Sequence, residues 1–125
     1  MIKKLLLGLG LLSCSLVTAT VLEPTNRTVF KTLAKNNLVV VKFSAPWCGP
    51  CRAIKPAYKR LSDEYTDIKF IEIDIDQMSD VASSWKIRSI PAFVFLNDGQ
   101  QISKFIGADE AQLKKHLDSL LTSKK

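Results

Sequence analysis

The run Leu38-Val39-Val40-Val41-Lys42-Phe43-Ser44 constrains this chain more than any other stretch, because almost every position in it is apolar. A strand with one face in water alternates apolar and polar residues, whereas a near-continuous apolar run is covered on both faces. It predicts an interior strand of a sheet with helices on either side. The run leads directly into Trp47-Cys48-Gly49-Pro50-Cys51. Two thiols three positions apart at a strand-to-helix junction make a reversible four-residue disulfide ring. A cysteine at the start of a helix faces unpaired backbone N–H groups and the positive end of the helix dipole. Both favour the thiolate, the species that attacks a disulfide. The pattern points to thiol–disulfide exchange.

Two other readings of paired cysteines fit less well. Structural zinc needs four protein ligands, and only Cys14 and a lone His116 remain, one in the N-terminal leader and one in a C-terminal helical segment. No metal is expected. A purely structural disulfide within one helical turn closes no long loop, so it would stabilise little through chain entropy.

The first two dozen residues stand apart from the core. Met1-Ile2-Lys3-Lys4 is a basic start, residues 5–12 are apolar apart from Gly8 and Gly10, and small residues follow. This is the layout of an export signal, too short and too weakly flanked for a membrane span. Two processing points compete. Val17-Thr18-Ala19 suits a signal peptidase, giving a signal peptide over 1–19 and a domain over 20–125. Leu11-Leu12-Ser13-Cys14 instead looks like a bacterial lipobox, with a signal over 1–13 and Cys14 lipidated. Either event removes or caps the odd third thiol. An exported, extracytoplasmic protein is expected, membrane-anchored if Cys14 carries lipid. The formal charge of +6 falls to +4 without Lys3 and Lys4. The remaining Lys and Arg are interspersed with Asp and Glu, which describes a solvated surface and not a nucleic-acid stripe.

Periodicity supplies the remaining elements. Val21-Leu22 is a short strand candidate ended by Pro24, and Thr25 or Asn26 caps a helix to about residue 35, with Val29, Phe30 and Leu33 on one face. A second helix runs over about 48–65, with Ile54, Ala57, Tyr58, Leu61 and Tyr65 at helical spacing and a kink expected at Pro56. A strand over 68–75, a short helix over 79–85, a hairpin over 92–96 and 101–106, and a last helix capped by Asp109 complete the order. The last helix turns Leu113, Leu117, Leu120 and Leu121 inward. One α/β domain with a mixed sheet follows.

Four segments in order carry a resemblance: Val39 to Cys51, Ile-Asp-Ile-Asp at 73–76, Ile-Arg-Ser-Ile-Pro at 87–91 and Phe-Ile-Gly-Ala at 105–108. With these the chain resembles the thioredoxin family over nearly all of residues 21–121. The resemblance implies a thioredoxin fold, a central mixed five-stranded sheet flanked by four helices. It implies Cys48 as the exposed nucleophile and Cys51 as the more buried resolving thiol. Cys48 would form a mixed disulfide with a substrate that Cys51 then resolves. Gly49 and Pro50 shape the turn, and Trp47 covers the site or packs into the core. Pro91 matches the family's cis-proline, leaving the backbone at Ile90 free to pair with an extended substrate. Gly107 and Ala108 join Pro46, Trp47, Ile90 and Pro91 in an apolar collar suited to protein substrates.

One position departs from the family pattern. The family commonly buries an Asp where this chain has Lys42. A buried Lys needs a partner, and Glu72 on the neighbouring strand is the expected one, giving a candidate proton-handling pair beneath Cys51. Snorkelling of Lys42 to solvent is the alternative. Gly-Pro between the cysteines resembles the reducing members of the family, so the expected activity is protein-disulfide reduction. The redox-active Cys48–Cys51 pair itself serves in place of an added cofactor. Expected partners are disulfide-containing proteins and an electron-donating reductase, membrane-bound if the chain is exported, acting on a monomer. The alternatives are a net oxidase or isomerase, or a non-catalytic binding or chaperone module.

Overall fold

A computed structural model describes residues 20–124 of the chain. Its elements are α1 (Arg27–Ala34), β1 (Leu38–Ser44), α2 (Gly49–Glu64), β2 (Ile68–Asp74), α3 (Ser79–Ser84), β3 (Ala92–Asn97), β4 (Gln100–Ile106) and α4 (Glu110–Thr122). Residues 1–19, including Cys14 and both processing points, lie outside the described part.

The strands form a sheet in the order β2-β1-β3-β4. β1 pairs parallel with β2 and antiparallel with β3, and β3 pairs antiparallel with β4. The sheet is mixed, as expected, but among the described residues it has four strands and not five. The expected first strand is reduced to one bridge: the Leu22 N–H donates to the Phe70 carbonyl and the Leu22 carbonyl accepts from the Glu72 N–H. Pro24, two residues on, lacks the N–H that a longer ladder would need.

Side chains alternate across a strand, and this divides the core in two. Val39, Val41, Phe43, Ile71, Ile73, Val94 and Leu96 point toward α1 and α3, meeting Phe30, Ala34, Met78 and Val81. Leu38, Val40, Ile68, Phe70, Phe93 and Phe95 point the other way, meeting Ile54, Tyr58, Leu61, Leu113, Leu117 and Leu120 of α2 and α4. Complete burial of one such side chain stabilises by about 1.5–3 kcal/mol. Position 42 falls in the second set, so a lysine is turned toward α2.

The caps follow the sequence. Asn26 Oδ1 accepts from the Val29 N–H and Asp109 Oδ1 from the Gln112 N–H, each satisfying a free donor of the first turn. α1 faces inward through Phe30 and Ala34, and Val29, expected on that face, is exposed. Pro56 lies inside α2 on its exposed side. The hairpin turn is tighter than expected, with only Asp98 and Gly99 between the strands. Both have positive φ, 52° and 79°, as a two-residue turn matched to strand twist requires. Among the described residues no helix is long and apolar enough to cross a membrane.

Candidate active site

The redox pair sits where β1 hands over to α2. Cys48 is the N-cap of α2, with an extended backbone, and Pro50 occupies the first turn, where its missing N–H is no loss. The Cys51 N–H points at Cys48 Sγ, 3.2 Å away. Cys48 sulfur thus takes the place that a serine or aspartate oxygen takes in an ordinary cap, a placement that favours negative charge on it. The two cysteines are joined as a disulfide, with Cα atoms 5.2 Å apart.

Neither sulfur-bearing residue is open to solvent. Cys48 is 5% exposed and Cys51 2%, so the expected order of burial is present but the expected exposure of Cys48 is not. The reason is the neighbouring loop. Ala45, Ile75 and Ile90 pack around the pair, and Cys48 Sγ lies 3.9 Å from the Ile90 carbonyl. The Ile90–Pro91 peptide is cis, and the Pro91 carbonyl accepts from the Gly107 N–H at 2.9 Å. That bond brings the 105–108 segment to the 87–91 segment, so with Ile75 from 73–76 all four sequence motifs meet here. Gly107 has a φ of +117°, a conformation that glycine adopts readily and other residues do not.

Trp47 is not core packing. It is 65% exposed, and its indole N–H donates to Asp76 Oδ2 at 2.8 Å. Asp74 Oδ1 in turn accepts from the Asp76 N–H, so the end of the Ile-Asp-Ile-Asp motif holds the tryptophan on the surface. Pro46, Trp47 and Ala108 are exposed, Ile90 and Gly107 half-buried, and Pro91 buried. Arg52 donates to the Pro46 carbonyl at 2.8 Å, tying the loop to the first turn of α2.

Beneath Cys51 lies the departure from the family pattern. Lys42 and Glu72 are register partners on β1 and β2. Lys42 Nζ donates to Glu72 Oε2 at 3.1 Å and to the Cys51 carbonyl at 3.0 Å, and stands 5.7 Å from the centre of the Tyr58 ring. Lys42 is 1% exposed and does not snorkel. The Ser44 hydroxyl donates to the same Glu72 oxygen at 2.7 Å. Burial pulls the Lys42 ammonium below its ordinary range, and the Glu72 carboxylate opposes that pull. For Glu72, burial alone would raise the carboxyl; the Ser44 hydroxyl and the Lys42 charge and hydrogen bond outweigh it, and the group ends below its ordinary value. A solvent-open groove of about 380 Å³ reaches this network, lined by Lys42, Cys51 and Glu72 with Glu23, Lys55 and Asp74 at its mouth.

Ser44, Ile75 and Asp76 were not singled out from the sequence. Ser44 had a signal: two residues beyond Lys42 on the same strand, it had to share the face of Lys42. Asp76 and Ile75 had none beyond their place in a motif, because only the fold brings β2's end to the loop. Among the described residues no three His, Cys, Asp or Glu cluster to hold a metal ion.

The thioredoxin family model matches residues 20–119. The chain belongs to the thioredoxin family. Among its relatives, a thioredoxin H-type of Populus jackii is 45% identical over 86 residues, covering 69% of this chain and 62% of the relative. The thioredoxin of Ovis aries is 42% identical over 88 residues, 70% of this chain and 84% of that one. The chain thus spans just under two thirds of the plant relative's length. Oxidised mitochondrial thioredoxin 3 of Saccharomyces cerevisiae has a TM-score of 0.76 at 37% identity, covering 79% of this chain and 94% of that one. Thioredoxins work through a redox-active disulfide, and this member carries its pair at Cys48 and Cys51.

Proposed function

We propose that this chain is a thioredoxin-type protein-disulfide reductase, and the observation that carries the reading is Cys48 as sulfur N-cap of α2, bonded to Cys51. In the reduced state the Cys48 thiolate attacks a substrate disulfide, forming a mixed disulfide and expelling one substrate thiolate. Cys51, as thiolate, then attacks Cys48 Sγ. The second substrate thiolate leaves, and the Cys48–Cys51 disulfide forms. Two electrons pass from the pair to the substrate, whose thiolates take protons from solvent. An extended substrate segment lies across Trp47, Ile90, Pro91, Gly107 and Ala108 and pairs with the Ile90 backbone, while Gly49 and Pro50 keep the turn tight.

Cys51 must lose its proton before the second step. Glu72, or water in the groove beside it, accepts that proton, and Lys42 holds the Cys51 backbone and favours the nearby thiolate. If Glu72→Gln leaves the rate of release from the mixed disulfide unchanged, that assignment is wrong. A reductase of disulfide proteins has to be re-reduced, and the donor is a membrane-bound reductase if the leader directs export. The working unit is then a monomer in an extracytoplasmic compartment, either the domain over 20–125 or, if Cys14 is lipidated, a membrane-anchored chain from Cys14 onward.

Reduction of insulin disulfides by the reduced chain tests the activity. Wild type is expected to cleave them. Cys48→Ser loses at least about a thousandfold, and Cys51→Ser accumulates a mixed disulfide through Cys48. Uncut insulin, or substrate captured through Cys51 instead, overturns the reading. One observation favours a second reading, a net oxidase: a cation under the resolving cysteine favours its thiolate and so stabilises the reduced state, and a stabilised reduced form makes a stronger oxidant. A reduction potential above about −200 mV would decide for it.

A further inference from the structure

The face of the sheet away from the redox pair carries a second hollow. About 450 Å³ of space lies between α1, α3 and the β3–β4 turn. Its floor is apolar, formed by Phe30, Trp85 and Leu96, and its rim carries Arg27, Lys31 and Lys35. Arg27 and Lys31 are four apart on α1 and Lys35 is its C-cap, four residues further on, so the helix and its end carry all three along one side.

The rim charges are not equivalent. Arg27 is occupied: Nε meets Asp80 Oδ2 at 3.1 Å and Nη2 donates to the Asp80 carbonyl at 2.9 Å. Lys31 and Lys35 have no ion-pair partner among the described residues. The one carboxylate at the rim is Asp98, and its Oδ1 accepts from the Asn36 N–H at 2.7 Å. Two adjacent cations therefore stand over a recessed apolar floor with an excess of positive charge. The volume falls in the range of small-ligand sites, which combine an apolar lining with a few placed polar groups. A neutral hydrophobe would leave the lysines unused, and a purely ionic ligand would leave the floor wet.

From this complementarity we propose that the hollow is a binding site for an organic anion with an apolar body, such as a medium-chain or aromatic carboxylate. The acid group sits between Lys31 and Lys35 and the apolar body lies on Phe30, Trp85 and Leu96. Leu96 pairs with Val39 near the start of β1, while Cys48 follows its end, so roughly 15 Å of strand separates this site from the disulfide. Occupancy leaves the dithiol chemistry free.

Decanoate titrated into the isotope-labelled full chain, followed by backbone amide shifts, tests the site. The expected result is saturable 1:1 binding with shifts confined to α1, α3 and the Asp98–Gly99 turn, weakening as salt is raised. Lys31→Gln/Lys35→Gln should bind at least tenfold more weakly, with insulin reduction unchanged and the protein still folded by its amide spectrum. Lys31→Arg/Lys35→Arg should retain binding. Equal affinity for decanol would show that the charges take no part. Shifts centred on the Trp47 collar would place the ligand elsewhere. Either outcome, or no saturation at millimolar decanoate, overturns the proposal.

Discussion

The two faces of the sheet are built from the same strands, yet their interiors differ in kind. Toward α1 and α3 the buried layer is entirely apolar, from Phe30 through Val41, Phe43 and Ile73 to Leu96. Toward α2 and α4 the apolar layer gives way, at the end nearest the cysteines, to Lys42 and Ser44 with the half-buried Glu72. Tyr58 belongs to this layer too. Its hydroxyl lies 2.7 Å from the Ile71 carbonyl and 3.0 Å from that of Val40, and burial raises its pKa well above the ordinary range, keeping it a donor. The first face is what a stable fold requires. An ion pair of this kind adds little net stability, since desolvation offsets most of the Coulomb attraction. Its contact with the Cys51 carbonyl is the observation on which the proposed proton-handling role rests.

That contrast can be broken in several ways. Phe43→Ala, on the apolar face, is expected to lose about 3–5 kcal/mol of stability by denaturant titration. The fraction that remains folded should keep its dithiol reactivity. Glu72→Gln strands the Lys42 charge under α2 and should lose about 3 kcal/mol at neutral pH. The same variant sharpens the pH dependence. Glu72 titrates below its unfolded value, so its contribution is complete above the ordinary carboxyl value of 4.5 and is lost as pH falls through the folded value. Stability of Glu72→Gln measured between pH 3 and 6 should therefore fall less steeply than that of wild type.

Lys42→Met/Glu72→Leu makes both faces apolar. Stability should be unchanged or higher by about 1–4 kcal/mol, while release from the mixed disulfide slows at least tenfold in stopped-flow measurements. A large loss of stability with an unchanged release rate would reverse the assignment of the two faces. The smallest effect belongs to His116. Its ring stacks against Phe95 and Phe105, with Nδ1 2.8 Å from Ser103 Oγ. Burial, then the Lys115 charge, lowers its pKa from 6.5, so the unfolded chain binds more protons just below that pH and stability declines there. The thermal midpoint of His116→Leu should lack this decline on going from pH 7 to pH 5.

Much of this was legible in the residues because it depends on local period. Alternation along β1 decides which side chains share a face, and it places Lys42 with Val40 and not with Val41. The Asn26 and Asp109 caps and the start of α2 at the cysteine pair are equally local. Less legible were features that depend on what lies next to what. Pattern could not distinguish a fifth strand from a single bridge at Leu22. The exposure of Trp47 rests on Asp76, 29 residues away in sequence, and the covering of Cys48 rests on a loop 42 residues away. No periodicity carries information across such gaps.

By itself, then, the order of residues determined the strand between two helical layers, the sulfur at a helix start and the family. These follow from backbone period and from groups within one turn of each other. The tertiary structure alone decided that Lys42 is buried against Glu72 and the Cys51 carbonyl, that Cys48 is nearly covered, and that α1 overhangs an apolar hollow. Each of those is set by the packing of separate elements, where burial and charge are properties of the neighbours and not of the residue.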